Sequence, residues 1–294
     1  MRAGLYGNLL YRLRSHFGVS EEELCGILRP YIPQIRGAFD ASEVRISYDS
    51  EQVIAAYLLL YYPNYALAAY DAMVRLRQLL HPDRLAVAFF CGGSLPELLG
   101  TALCMSGRGD RGVAIDALVF DLYIDSWAWT HEISLALAQK YAPDVMINLV
   151  PRKFDFLAAH DAMDLDEISK VDFLVFQHCL NEFAGTRRAI DRIEEIGRAA
   201  RPGSLLMFLD QGKYSVITSA MRDIRDRFVA FGYEVIEDCE APYVYKTPDF
   251  YLPAAAQAGF FDGKASLDEM GNWSPGHRRA RELNLRALIV RKPL

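Results

Sequence analysis

The stretch LAVAFFCGGSLPELLG, residues 85–100, decides how the rest of the chain is read. Its first six residues are apolar without interruption, the pattern of a strand buried on both faces of a sheet. They run into Cys91, Gly92 and Gly93, where missing side chains let a ligand approach the backbone. Ser94 with Glu97 reads as a capping box that opens a helix. Strand, glycine turn and helix together form a cradle. Asp121 stands 28 residues after Gly93 and ends the next apolar run. A nucleotide-binding α/β sheet places an acid there to accept hydrogen bonds from ribose hydroxyls.

Outward from this cradle the chain alternates β-type runs with helical patterns, the signature of a parallel sheet wrapped by helices. Strands are expected at 85–90, 117–121, 145–150, 172–176, 205–210, 233–237 and 286–291, with helices at 97–105, 127–141, 187–200 and 216–231. In the last helix Ile217, Met221, Ile224, Phe228 and Phe231 fall on one face, which should pack on the sheet. Residues 241–285, rich in Pro, Gly and aromatics, read as an insertion that covers something. Before residue 81 the pattern is helical, at 53–62 and 66–80, with Pro63 stopping one helix and Asn64 capping the next. The expected organisation is a helical cap over 1–80 and a ligand-binding α/β domain over 81–294.

Composition removes several alternatives. The chain has 294 residues with 32 basic against 38 acidic side chains, a net charge of −6, and so lacks the basic footprint of a nucleic-acid binder. The longest apolar run, 53–62, is far shorter than the roughly 18 residues of a membrane span. The first residues show no secretion signal. Five cysteines without C-x-x-C spacing read as reduced, mostly buried thiols in a cytoplasm. Five histidines, His16, His81, His131, His160 and His277, have no partner at ligand spacing, and no metal site is expected.

The turn after 85–90 lacks the G-x-G-x-x-G spacing that cradles phosphates, and no G-x-x-x-x-G-K-[ST] occurs in the chain. An adenosine ligand without phosphates needs only the backbone approach, the ribose acid and a slot for the base. On AFFCGGSLPELLG (88–100), VFD ending at Asp121, VDFLVFQHCLNE (171–182) and ARPGSLLMFLD (200–210), the chain resembles the class I S-adenosylmethionine-dependent methyltransferases over roughly residues 85 to 294. The resemblance implies a Rossmann-like, seven-stranded, mostly parallel sheet with helices on both faces and an antiparallel seventh strand between the fifth and sixth. It also implies S-adenosylmethionine lying over the carboxyl ends of the first, second and fourth strands. AYLLLYYPNYALAAYDAM (56–73) looks like the segment before the first motif in methyltransferase-like proteins of mitochondrial ribosome assembly, which implies a helical cap carrying Tyr62 and Tyr65 over the cofactor.

Site expectations follow. Cys91, Gly92, Gly93, Pro96, Glu97, Asp121 and Gln177 are expected to hold the cofactor, with Asp155 and Phe156 at the adenine and Asp161 as the competing acid. His178, whose unperturbed pKa of about 6.5 suits proton removal near neutrality, is the candidate base, with Tyr65 and Asn181 beside it. Tyr62, Trp127, Glu182 and Tyr243 are expected to bind the substrate. Aromatic residues crowd these motifs and can form a core or a box for a cation such as a sulfonium. The expected activity is methyl transfer to the N or O of a small-molecule acceptor. Two alternatives stand: a reaction in which S-adenosylmethionine is itself consumed with release of methylthioadenosine, and an interaction protein whose first motif, with Phe89 and Cys91, has degenerated. Aromatic N-terminal helices, if exposed, can pair two subunits.

Overall fold

Apolar runs too short for helices and rich in Phe, Val, Leu and Ile become strands wherever the sequence places them between helical segments. In the computed structural model these are β1 (Arg84–Phe90), β2 (Val113–Asp121), β3 (Val145–Lys153), β4 (Phe173–Gln177), β5 (Leu205–Gln211), β6 (Glu234–Asp238), β7 (Tyr243–Lys246) and β8 (Glu282–Arg291). The structure describes residues 2–40, 46–108, 112–158, 162–183, 187–212, 214–238, 243–246 and 282–294. The sheet order is β3-β2-β1-β4-β5-β8-β6, with β7 paired to β8. Pairs among β1 to β5 are parallel, whereas β8 runs antiparallel between β5 and β6. The expected seventh strand is thus β8, in the expected place. One strand more is present: β7 lies inside the expected insertion and puts Tyr243 opposite Leu285. Residues 247–281 of that insertion lie outside the described residues.

Strand order reverses at β1, which pairs β2 on one side and β4 on the other. A crevice opens beyond the carboxyl ends at such a switch point, because the following helices leave on opposite faces. Both faces are covered. On one, Phe120, Phe90, Phe176 and Phe208 sit at matched register on four neighbouring strands and stack with centroids 5.1, 4.5 and 4.7 Å apart. Behind them pack α9 (Arg187–Ala199) and α10 (Ser215–Ala230), the latter through Ile217, Met221, Ile224 and Phe228. Phe231 departs from its expected place on that face. It follows the last turn of α10 as the C-cap, stays exposed, and lies under the Arg198 guanidinium.

The other face carries α5 (Pro96–Met105) and α6 (Ile124–Tyr141), joined in one apolar core by the N-terminal helices α1 (Arg2–Phe17), α2 (Glu21–Leu28), α3 (Tyr31–Asp40) and α4 (Glu51–Leu76). Gly100 allows the closest approach: a Cβ there would lie 2.7 Å from the Ala66 carbonyl oxygen and from Ala69 Cβ. The expected break at Pro63 does not occur. Helix α4 runs through it, buried on nearly every side from Val53 to Ala69. Burial against five other helices outweighs the about 3 kcal/mol that an interior proline costs. Asn64 therefore caps nothing, and both polar atoms of its buried carboxamide lack partners. Tyr61, Tyr62 and Tyr65 of α4 are likewise buried within the monomer. No helix among the described residues is long and apolar enough to cross a membrane.

Candidate functional site

The turn after β1 is wound by three left-handed residues within five positions, Cys91, Gly93 and Leu95. A Cβ on Gly92 would come within 2.9 Å of Leu95 Cδ2 and 3.0 Å of Val119 Cγ1, so a side chain there would have to push both groups aside. Two elements clamp the turn. From β2, Asp121 Oδ2 accepts the Gly93 N–H at 3.0 Å while Oδ1 accepts the Tyr123 N–H at 2.8 Å. From α6, His131 Nε2 lies 2.8 Å from the Gly93 carbonyl oxygen and Ser134 Oγ donates to the Ser94 carbonyl at 2.6 Å. A carbonyl only accepts, which assigns the proton to His131 Nε2. Burial raises the pKa of Asp121 and, on the other side, lowers that of His131.

The expected capping box is absent. The N-cap of α5 is Leu95 in the left-handed region, Pro96 follows, and no side chain caps the helix. Leu95 N–H bonds the Gly92 carbonyl at 2.7 Å, and this tight turn draws Ser94 into the interior, where its hydroxyl has no partner. Glu97 is only 5 % exposed, with Oε2 unpartnered, and desolvation followed by the nearby Asp121 carboxylate pushes its pKa to about 8. The chain's capping box lies elsewhere, between Ser20 and Glu23 of α2.

At the end of β4, Gln177 Nε2 donates to the Tyr65 carbonyl at 3.0 Å and leaves Oε1 unpartnered. His178 follows with a left-handed backbone and lays its ring on that of Tyr65, centroids 3.8 Å apart and planes 22° from parallel. Its Nδ1 stands 3.5 Å from Asp210 Oδ1 without hydrogen-bond geometry, and Nε2 is also unpartnered. Asp210, fully buried, accepts from the Leu180 N–H at 3.0 Å and the Gln211 N–H at 2.7 Å. The Cys91 thiol is raised well above its usual pKa by its hydrogen bond with Cys179 and by burial, so it is no thiolate nucleophile.

One cleft of about 140 Å³ opens beyond the strand ends. It brings together Tyr65, Cys91, Gly92, Gly93, Pro96, Glu97, Asp121, Trp127, Asp155, Phe156, Gln177, His178 and Glu182 from the sequence-based set. Tyr62 is fully buried in α4 and does not line it. The side chains of Asn181 and Tyr243, and Asp161 altogether, lie outside the described residues. Asp155 is exposed and its Oδ1 accepts from the Leu157 and Ala158 N–H groups, a local turn that leaves Oδ2 toward solvent or ligand. Phe156 stacks on Phe183 at 4.8 Å.

Sequence reasoning missed Tyr48, Phe154 and Phe183 on the wall and His131 and Asp210 behind it. Two signals were available. Asp210 ends its apolar strand just as Asp121 does, and His131 follows Trp127 by one helical turn. A larger groove of about 550 Å³ is lined by Leu180 and Phe183, which follow β4, and by residues of α9 and α10, and its Arg227 is already paired with Asp191 and Glu194.

No protein-family model matches the chain, and no curated protein matches it. Among solved structures it is similar to the N-methyltransferase NodS from Bradyrhizobium japonicum WM9 in complex with S-adenosyl-L-homocysteine, at 9 % identity and a TM-score of 0.43, over 83 % of this chain and 98 % of that one. A SAM-dependent methyltransferase from Methanosarcina mazei matches at 12 % identity and a TM-score of 0.43, over 75 % and 97 % of the two chains. A 16S rRNA adenine methyltransferase variant from Catenulisporales acidiphilia matches at 11 % and 0.39, over 76 % and 92 %. Likeness at this level carries neither a reaction nor an acceptor across. The chain's own strand order, with β8 antiparallel between β5 and β6, is the arrangement of the class I methyltransferase fold.

Proposed function

We propose that the cleft binds S-adenosylmethionine and that the protein transfers a methyl group to a small-molecule acceptor. The observation that carries this reading is the glycine turn tied to the acid of the adjacent strand, Gly93 N–H to Asp121 Oδ2, at the switch point of the sheet. Each Asp121 oxygen accepts one backbone bond and keeps a lone pair for a ribose hydroxyl. Unpartnered Oε atoms on Gln177 and Glu97, in a cleft that also exposes the Gly92–Gly93 backbone, suit a polar nucleoside. The volume is below the about 300–1,000 Å³ of ordinary ligand pockets. Binding therefore moves side chains at the mouth, where Leu122 and Tyr123 are exposed.

When bound, the cofactor supplies a methyl group on a sulfonium. This chain's residues orient and desolvate. Asp121 takes the ribose, Asp155 and Phe156 the adenine, and Cys91, Gly92, Gly93, Pro96, Glu97 and Gln177 the remainder of the cofactor. His178, held against Tyr65, receives a proton from an acceptor that carries one, and Asn181 lies one turn beyond it. Trp127 and Glu182, with Tyr243 from β7, contact the acceptor. The enclosed cleft, with no Lys or Arg among its described lining residues, supports a small acceptor over a nucleic acid. Mass spectrometry after incubation with S-adenosylmethionine and an acceptor panel tests this. One added methylene with S-adenosylhomocysteine is expected, and methylthioadenosine instead replaces methyl transfer by consumption of the cofactor.

A further inference from the structure

Strands β1 and β4 are parallel neighbours whose last register pair is Phe90 with Phe176. Just beyond that pair each chain turns through a left-handed residue that is not glycine, Cys91 (φ 52°) after β1 and His178 (φ 54°) after β4. Such a backbone is unfavourable for an L side chain and persists where its surroundings impose it. Here the Cys91 thiol meets the thiol of Cys179, the residue after His178, in a hydrogen bond. Cys179 belongs to the apolar core on that face of the sheet, and Cys91 packs against the same core. Cys91 is part-exposed and lines the cleft, whereas Cys179 is 1 % exposed and does not. Methyl transfer gives the Cys179 thiol no role.

We propose that Cys91 and Cys179 are a redox pair which a peroxide joins as a disulfide, and that this bond lowers the affinity of the cleft for its ligand. The pair stands on its own geometry, and its effect on affinity rests on the cofactor reading above. In the first step Cys91 sulfur attacks hydrogen peroxide, the O–O bond breaks, and a sulfenic acid forms as hydroxide leaves. Cys179 sulfur then attacks the sulfenic sulfur and displaces the second hydroxide. The two thiol protons convert both hydroxides to water, so two electrons pass from the sulfurs to the peroxide. The hydrogen bond with Cys179, together with burial, keeps Cys91 protonated near neutrality, which makes the first step slow. It also denies the reduced pair the thiolate stabilisation that makes some disulfides strongly oxidising, so the disulfide is the stable form once made. The bond ties the turn after β1 to the segment after β4. A cleft of about 140 Å³ has to open for a nucleoside, and a tie between two of its walls resists that opening.

The reduced full-length protein is treated with hydrogen peroxide in mildly alkaline buffer, the excess is removed with catalase, and peptides are mapped by mass spectrometry without reduction. A Cys91 peptide joined to a Cys179 peptide, with two hydrogens lost and separation by dithiothreitol, is expected. Free thiols after long exposure, Cys91 carried to a sulfinic acid without a link, or Cys91 joined to another cysteine overturns the pair. Calorimetric titration with S-adenosylmethionine then reads the consequence. The cross-linked protein should bind about tenfold more weakly or worse, with affinity restored by dithiothreitol. Cys179→Ala, or Cys179→Ser where the alanine variant does not fold, should bind equally before and after peroxide. Equal affinity of reduced and cross-linked parent overturns the effect on binding. So does a loss that dithiothreitol leaves in place or that the Cys179 variant shares, because oxidation elsewhere, as at methionine, then causes it. If the reduced parent itself fails to bind S-adenosylmethionine, the cofactor reading falls, and the peptide map alone decides the redox pair.

Discussion

Gly93 donates its backbone N–H to Asp121 Oδ2 at 3.0 Å, which makes the glycine turn after β1 and the acid ending β2 one structural unit. Asp210 repeats the device one strand pair away, accepting the Leu180 N–H of the segment after β4. In both cases a strand-end aspartate fixes the loop that leaves the adjacent parallel strand. Asp121→Ala leaves two part-buried donors, the Gly93 and Tyr123 N–H groups, without their acceptor and should destabilise the fold by about 1 kcal/mol in urea melts. Asp121→Asn keeps one carbonyl oxygen and should lose less. Equal stability of all three proteins would show that the turn does not depend on this acid.

Glu97 predicts a pH dependence. Its folded pKa, pushed to about 8, exceeds the ordinary value of 4.5, so the folded state binds the proton more tightly than the unfolded chain. The resulting stability is full below about pH 4.5 and is lost as pH rises through about 8, at about 1.4 kcal/mol per pH unit. Glu97→Gln, which never ionises, should match the parent at acidic pH and melt higher at pH values above about 8. Parallel melting curves for the two proteins across that range would refute the assignment.

His131 acts with the opposite sign. Burial lowers its pKa, so the neutral ring that donates to Gly93 contributes stability above the unfolded value of about 6.5, and this is lost as pH falls through the folded pKa. His131→Phe should remove that acid-side loss while costing about 1–3 kcal/mol at neutral pH, because the Gly93 carbonyl is left without its donor. Thermal melts at graded pH read both effects.

Much of the sheet was legible because strands buried on both faces are continuous apolar runs, and the run 85–90, the run ending at Asp121 and the run 172–176 each stand between turn signals. The site's acid and glycines were legible for the same reason, since they end such runs. What failed was local chemistry overridden by packing. Pro63 and Asn64 carry a break signal that the burial of α4 defeats, and Ser94 with Glu97 carries a cap signal that the Gly92–Leu95 turn defeats. His131 and Asp210 act through contacts between elements distant in sequence, for which periodicity has no signature.

His178 should matter to turnover and not to cofactor affinity. Its imidazole rests on Tyr65, away from the Asp121 end of the cleft, and both nitrogens are unpartnered. With an acceptor that carries a proton, His178→Ala should lower kcat by about 10²-fold with an unchanged Kd for S-adenosylmethionine. A full loss of cofactor binding would reassign the residue to the cofactor site.

The most direct measurement is calorimetric titration of the protein and of its Asp121→Asn variant with S-adenosylmethionine. Micromolar one-to-one binding to the parent is predicted, weakened about tenfold or more in the variant, whose neutral amide is a poorer acceptor for ribose hydroxyls. No binding to the parent at millimolar ligand, or equal affinity of the two proteins, would contradict the placement of the adenosyl group against Asp121.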